Sequence, residues 1–211
     1  MSSYDQPRAE WYEEHHRKNL RTRLTTWRER SLLSRALASI GPCASLLDVP
    51  CGGGRFFPVL LASRAPEILA ADNSVAMLAV AAATQGVRSG RIRLLETSLF
   101  SLALGADAVD CIVCMRFMHH LALEADRRRV LAELHRVTRR WVVFSLWVDG
   151  NLQAWRRQPR PPVAGFGRRQ WVPRERIEAE LAASGFRVLR RFDVAPRWSM
   201  WRYYVLEKSH A

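Results

Sequence analysis

Three short stretches carry residue types whose spacing could do chemistry. The first is Leu46-Leu47-Asp48-Val49-Pro50-Cys51-Gly52-Gly53-Gly54-Arg55-Phe56, an apolar run that ends in an aspartate and passes into three glycines. Glycines let a backbone turn sharply and let a ligand come close to it. The second is Asp72, eighteen residues past Gly54, at the end of the run Glu-Ile-Leu-Ala-Ala-Asp. A carboxylate placed there, after a strand-turn-helix-strand path, can accept hydrogen bonds from both hydroxyls of a ribose. The third is Cys114-Met115-Arg116-Phe117-Met118-His119-His120-Leu121. Imidazole titrates near neutral pH, so a histidine here could take the proton of an attacking hydroxyl or amine, with His119 the favoured candidate. The competing reading is that one histidine caps the next helix while the other packs against the sheet. Two other glycine-turn chemistries are disfavoured. The dinucleotide fingerprint needs a glycine where Phe57 stands, and no phosphate-loop lysine follows the turn.

The elements that must position these stretches follow from hydrophobic periodicity. Residues 8–40 predict a helix, with Leu20, Leu24, Trp27, Leu33, Leu37 and Ile40 near helical spacing, stopped by Gly41-Pro42. Apolar runs at 45–49, 67–72, 91–96, 108–115 and 140–148 then alternate with helical patterns at about 55–63, 74–84 and 123–137. That alternation predicts a doubly wound α/β fold, a mainly parallel sheet with helices on both faces. After a helix near 173–183, the runs 186–194 and 200–208 are joined by only Ala-Pro-Arg-Trp-Ser, so they form an antiparallel edge hairpin and bring the strands to seven. In such sheets ligands lie beyond the carboxyl ends of the strands, which is where the glycine turn, Asp72 and the histidine pair fall.

At this point the sequence resembles the class I S-adenosylmethionine-dependent methyltransferases, over about residues 44–208. The resemblance rests on the hydrophobic-hydrophobic-Asp-x-x-Cys-Gly-x-Gly motif at 46–54, the acid ending the second strand, and the reversed terminal hairpin. It implies a Rossmann-like domain at 44–211 preceded by a helical segment at 1–43. The implied cofactor is S-adenosyl-L-methionine, with S-adenosyl-L-homocysteine as product. Carried over by position, Asp48 would sit near the methionine amino group, Gly52 and Gly54 would line the cofactor beside Cys51, and Asp72 with Asn73 would hold the ribose. Met77 would pack near the adenine. Ser98-Leu99 stand where the family usually has an aspartate and an apolar residue, and Cys114 would border the site. The His-His-Leu ending resembles that of small-molecule methyltransferases of the ubiquinone and menaquinone biosynthesis type, which makes His119 and His120 the catalytic candidates.

Composition narrows the acceptor. Hydrophobic residues are 48% and charged residues 25%, with formal net charge +13, which excludes a disordered or collagen-like chain. Of the 33 basic residues 31 are arginine, and residues 151–202 hold twelve of them against four acids. Codon bias explains such a skew equally well as a need for planar guanidinium forks. The aperiodic stretch 149–172 predicts a lid, with Arg116, Trp155, Arg156 and Arg157 as acceptor contacts and Phe166, Trp171, Arg160, Arg168 and Arg169 as further lining. Four cysteines without a second ligand pair point to a reducing compartment and no metal. The N-terminus has no apolar stretch of the secretory kind, and no apolar run is long enough to span a bilayer, so a cytoplasmic protein is expected. An amino-methylating Asn/Asp-Pro-Pro-Tyr/Phe is absent, and the Pro-Cys pair lies in the glycine turn. The expected acceptor is therefore a small or mid-sized, anionic metabolite or glycolipid, methylated on oxygen. RNA is the alternative acceptor, and an inactive scaffold of the same fold the non-enzymatic one.

Overall fold

The computed structural model describes residues 20–157 and 169–209. The chain forms a seven-stranded mixed sheet, parallel except for its C-terminal strands, and divides after Ala103 into two compact units.

In the first unit, α1 (Leu20–Ala38) leads into β1 (Ser45–Asp48), α2 (Phe57–Ala62), β2 (Glu67–Asp72), α3 (Val75–Ala82), α4 (Gln85–Arg88) and β3 (Arg93–Glu96). The three strands are parallel in the order β3-β2-β1, with Asp48 opposite Ala70 and Asp72 opposite Glu96. β1 is buried along its whole length, as expected of a parallel strand covered on both faces. On α1, Leu32, Leu33, Ala36 and Leu37 are buried while Leu24 and Trp27 are exposed, so among the side chains described the C-terminal half supplies the core. Residues 8–19 of the expected helix lie outside the described residues. Ser74 caps α3 by accepting from the Met77 amide. The helix then breaks before α4, where the Thr84 hydroxyl donates to the Ala81 carbonyl at 2.7 Å.

The second unit contains β4 (Val109–Cys114), a 3-10 turn (Met118–His120), α5 (Glu124–Val137), β5 (Thr138–Trp147), α6 (Leu152–Arg156), α7 (Arg174–Ala183), β6 (Phe186–Asp193) and β7 (Trp201–Lys208). Its strand order is β4-β5-β7-β6, with β4 and β5 parallel and β7 antiparallel to both neighbours. α5 buries Val130, Leu131, Leu134 and Val137 at helical spacing. The aperiodic stretch contains a helix that periodicity does not show: α6 is one short turn, capped by Asn151 accepting from the Ala154 amide at 2.9 Å. Both described ends of the stretch are anchored. Leu152 and Gln153 donate to the Arg197 and Trp198 carbonyls, and Val172 donates to Trp147. Residues 158–168, with Arg160, Phe166 and Arg168, lie outside the described residues. No described helix is long and apolar enough to cross a membrane.

Candidate functional site

In the first unit β1 delivers Asp48 to the start of the glycine turn and β2 delivers Asp72 beside it. The Asp72 carboxylate accepts from the Gly52 amide through Oδ2 and from the Ser74 amide through Oδ1, both at 2.9 Å. The turn is also pinned by the Cys51 amide donating to the Ala71 carbonyl at 2.8 Å. Gly52 and Gly54 take φ values of +53° and +82°, and a Cβ on Gly54 would come within 2.6 Å of the Phe57 ring. These glycines are thus required by conformation and, at Gly54, by space as well. On the far side of the turn, Arg55 Nη1 pairs with the buried Glu29 of α1 at 3.0 Å, and Arg30 Nε donates to the Arg55 carbonyl at 2.9 Å.

Asp48 is the unusual group. It is 0% exposed, and neither carboxylate oxygen has a hydrogen-bond partner. Burial, and secondarily the charge of Asp72, holds its carboxyl well above the usual carboxylate range. Burial also raises Asp72, although the amides of Gly52, Ser74 and Asn73 work against it. The Cys51 thiol is pushed up by burial and by both aspartates, which keeps it protonated and unreactive. Met77 is buried and its amide meets Ser74 Oγ, whereas Asn73 is exposed. Leu99 is buried, and Ser98 Oγ accepts from the Phe100 amide at 3.2 Å.

In the second unit, Cys114 is buried at the end of β4, and Arg116 follows with φ +59° and its amide donating to Ser145 Oγ at 2.8 Å. His119, 1% exposed, stacks on Trp147 of β5 (4.7 Å between centroids) and meets Trp201 of β7 edge-on at 4.9 Å. Its Nδ1 is buried without a partner. His120, half-buried, lies 4.2 Å from it, ring to ring. Guanidiniums cover the cluster, Arg116 over Trp201 at 5.0 Å and Arg157 over Trp147 at 4.7 Å. Burial, then His120 and Arg116, Arg169 and Arg157, hold His119 well below its ordinary range. Burial, then Arg169 and Arg116, push His120 down to about 4. Both imidazoles are therefore neutral at physiological pH. Trp155 is 80% exposed and Arg156 is exposed, so neither belongs to the buried cluster.

Sequence reasoning missed the support beneath the histidines. Arg127 and Glu180, 2% and 3% exposed, form a bidentate pair with bonds of 2.6 and 2.8 Å. Arg127 Nη1 also donates to the Leu121 and Ala122 carbonyls at 3.0 Å, the two residues after the histidine turn. The signal was present: Arg127 stands on the apolar stripe of α5, three and four residues before Val130 and Leu131. A charge on a core-facing stripe must have a buried partner. Trp147 and Trp201 were likewise placed on strands but not at the site.

Comparison with known proteins bears on the fold that carries these residues. Residues 47–144 match the family model described as Methyltransferase domain. Among solved structures, magnesium protoporphyrin IX methyltransferase from Synechocystis PCC 6803, with bound S-adenosylmethionine, superposes at TM-score 0.66 and 15% identity, covering 89% of this chain and 81% of that one. A S-adenosylmethionine-dependent methyltransferase from Clostridium acetobutylicum ATCC 824 gives 0.67 at 14% identity, covering 88% and 92%. One from Methanosarcina mazei gives 0.62 at 14%, covering 81% and 94%. At these identities the structures establish the fold. No curated protein sequence matches the chain. The motif turn, the seven-stranded sheet with its reversed end and the family match converge: residues 47–144 are a methyltransferase domain, carried on the fold shared with S-adenosylmethionine-dependent methyltransferases.

Proposed function

We propose that the chain transfers the methyl group of S-adenosylmethionine to an oxygen of a small or mid-sized anionic metabolite or glycolipid. The observation that carries the reading is the buried, unpartnered carboxylate of Asp48 beside the glycine turn. A carboxylate is left unpaired in a core only at strong cost, and the methionine ammonium supplies the missing charge. In this reading Gly52 and Gly54 let the backbone approach the cofactor, while Cys51 and Asn73 border it. Asp72 keeps lone pairs for the ribose hydroxyls after holding the turn, and Met77, Ser98 and Leu99 flank the adenine. When bound, the cofactor supplies an electrophilic methyl on a good leaving group. The protein's task is then to hold the acceptor oxygen in line with that methyl and exclude water. His120, less enclosed than His119, is the residue proposed to accept the acceptor's proton. His119 packs between the tryptophans and orients it.

Several arginines behind the RNA alternative are engaged in ion pairs: Arg174 with Asp149, Arg176 with Glu124, Arg191 with Glu178 and Arg202 with Asp193. That favours the small acceptor. Calorimetry with S-adenosylhomocysteine, followed by transfer of tritiated methyl into fractionated cell extract, tests the proposal. Binding, with label in the small-molecule or lipid fraction, is expected. Label in RNA overturns the acceptor assignment, and absence of binding overturns the enzyme reading in favour of a scaffold.

A further inference from the structure

Four observations in the second unit meet at the His119–His120 turn. Arg157 lies on the face of Trp147, which itself stacks on His119. The segment carrying Arg169 is tied to the turn, because the next residue, Gln170, donates its amide to the His119 carbonyl at 2.9 Å. Arg157 is tied to the same segment, its carbonyl accepting from Trp171 Nε1 at 2.9 Å. Two buried polar atoms in the cluster, Trp147 Nε1 and His119 Nδ1, have no partner. The indole N–H can only donate, so what it lacks is an acceptor.

The charge around this point is equally one-sided. Among the described residues no carboxylate pairs with Arg157 or Arg169, whereas Arg174, Arg176, Arg191 and Arg202 each hold one. Stacking on an indole fixes a guanidinium plane and leaves its N–H edge free for a planar oxyanion.

We infer that Arg157 and Arg169, with the indole N–H of Trp147, form an oxyanion subsite beside the His119–His120 turn, and that the acceptor carries a carboxylate or phosphate close to the atom that is methylated. The inference rests on the methyltransferase reading and deepens it by naming the acceptor's second functional group. Its consequence is a division of labour. Burial, then Arg169 and Arg116, make His120 a weak base; an oxyanion beside Arg169 offsets the guanidinium part of that effect, so the bound acceptor itself makes His120 a stronger base. An acceptor of the same shape without the anion would leave His120 a weaker base for the proton.

The test uses full-length protein with 15N-labelled histidine side chains, titrated with benzoate, inorganic phosphate or, as the neutral control, benzyl alcohol. Benzoate or phosphate should move the His120 imidazole titration upward from about 4, and benzyl alcohol should not. A response to benzoate alone assigns a carboxylate, and to phosphate alone a phosphoryl group. The Arg157→Gln/Arg169→Gln double variant should weaken oxyanion binding roughly tenfold or more. Arg157→Lys/Arg169→Lys, which keeps the charge, should retain part of it. Arg190→Gln, at an exposed position of β6, removes a charge elsewhere and should have no effect. The inference is overturned if neither anion moves the histidine signals, or if Arg190→Gln weakens binding as much as the double variant. S-adenosylhomocysteine calorimetry on the same samples separates the two failures. Cofactor binding without an oxyanion response sinks the subsite alone, whereas no cofactor binding sinks the enzyme reading whatever the anions do.

Discussion

Asp48→Asn should produce two effects of opposite sign. The substitution is nearly isosteric and replaces a fully buried carboxyl without a hydrogen-bond partner, which folding forces to keep its proton, by an amide that never ionises. In the ligand-free protein that relieves a burden on the order of 1–3 kcal/mol, and a chain of this size gains roughly 2–4 °C in Tm per kcal/mol. The variant should therefore melt several degrees higher by differential scanning calorimetry. Its affinity for S-adenosylhomocysteine should fall, because a charge-assisted contact worth about 1.5–3 kcal/mol is lost, a factor of roughly 10–150. The pH dependence has a definite sign. Burial and Asp72 hold the native carboxyl above its ordinary range, so above about pH 4 the unfolded chain has released a proton that the native chain still holds. The wild type therefore loses stability from this residue as pH rises through that window, and the variant should lose less. Binding an ammonium favours the ionised carboxylate, so wild-type binding should release a proton and tighten as pH rises, a coupling that the amide abolishes. A variant that melts lower, or binds as tightly as wild type, refutes the assignment of Asp48.

Three further outcomes are expected. His120→Ala should lower turnover roughly 10²–10⁴-fold with cofactor affinity unchanged, whereas His119→Ala should mainly lower Tm by opening a space between Trp147 and Trp201; steady-state kinetics and calorimetry separate the two. Arg127→Ala should destabilise by about 3 kcal/mol, because it leaves the buried Glu180 with only the longer 3.4 Å contact to the exposed Arg176, read by urea unfolding, and Arg127→Met/Glu180→Leu should recover most of that loss. Gly54→Ala should abolish S-adenosylhomocysteine binding in calorimetry and cost on the order of 1–3 kcal/mol through its positive φ, with additional loss from the Phe57 ring.

How legible these features were depended on whether they repeat. Strand and helix positions followed from period, and most boundaries fell within a few residues. β5 begins at Thr138 and not Arg140, and α2 begins at Phe57 because the glycine turn extends further. α6 was invisible because five residues are too few to show a period and its Asn151 cap is a single polar side chain. The turn and Asp72 were legible because glycine conformation and strand-end position are local properties. The aromatic cluster was not, since Trp147 and Trp201 are distant in sequence and meet His119 only through the β5–β7 register, where they stand opposite each other. Nor does a sequence reveal that Asp48 lacks a partner, because solvation is a property of the packed chain.

The contact between Glu29 and Arg55 bears on where the minimal folding unit begins. A boundary drawn between 43 and 44 places α1 outside the catalytic domain, yet α1 supplies the anion that holds the first residue after the glycine turn. A fragment starting at Ala44 would lose the burial of Leu32, Leu33, Ala36 and Leu37 and leave the Arg55 guanidinium without its counter-charge. The N-terminal helix is therefore a buttress of the ligand loop. A graft or fusion that exchanges it must bring an acid to the position of Glu29, or the loop it inherits will have one end unmoored.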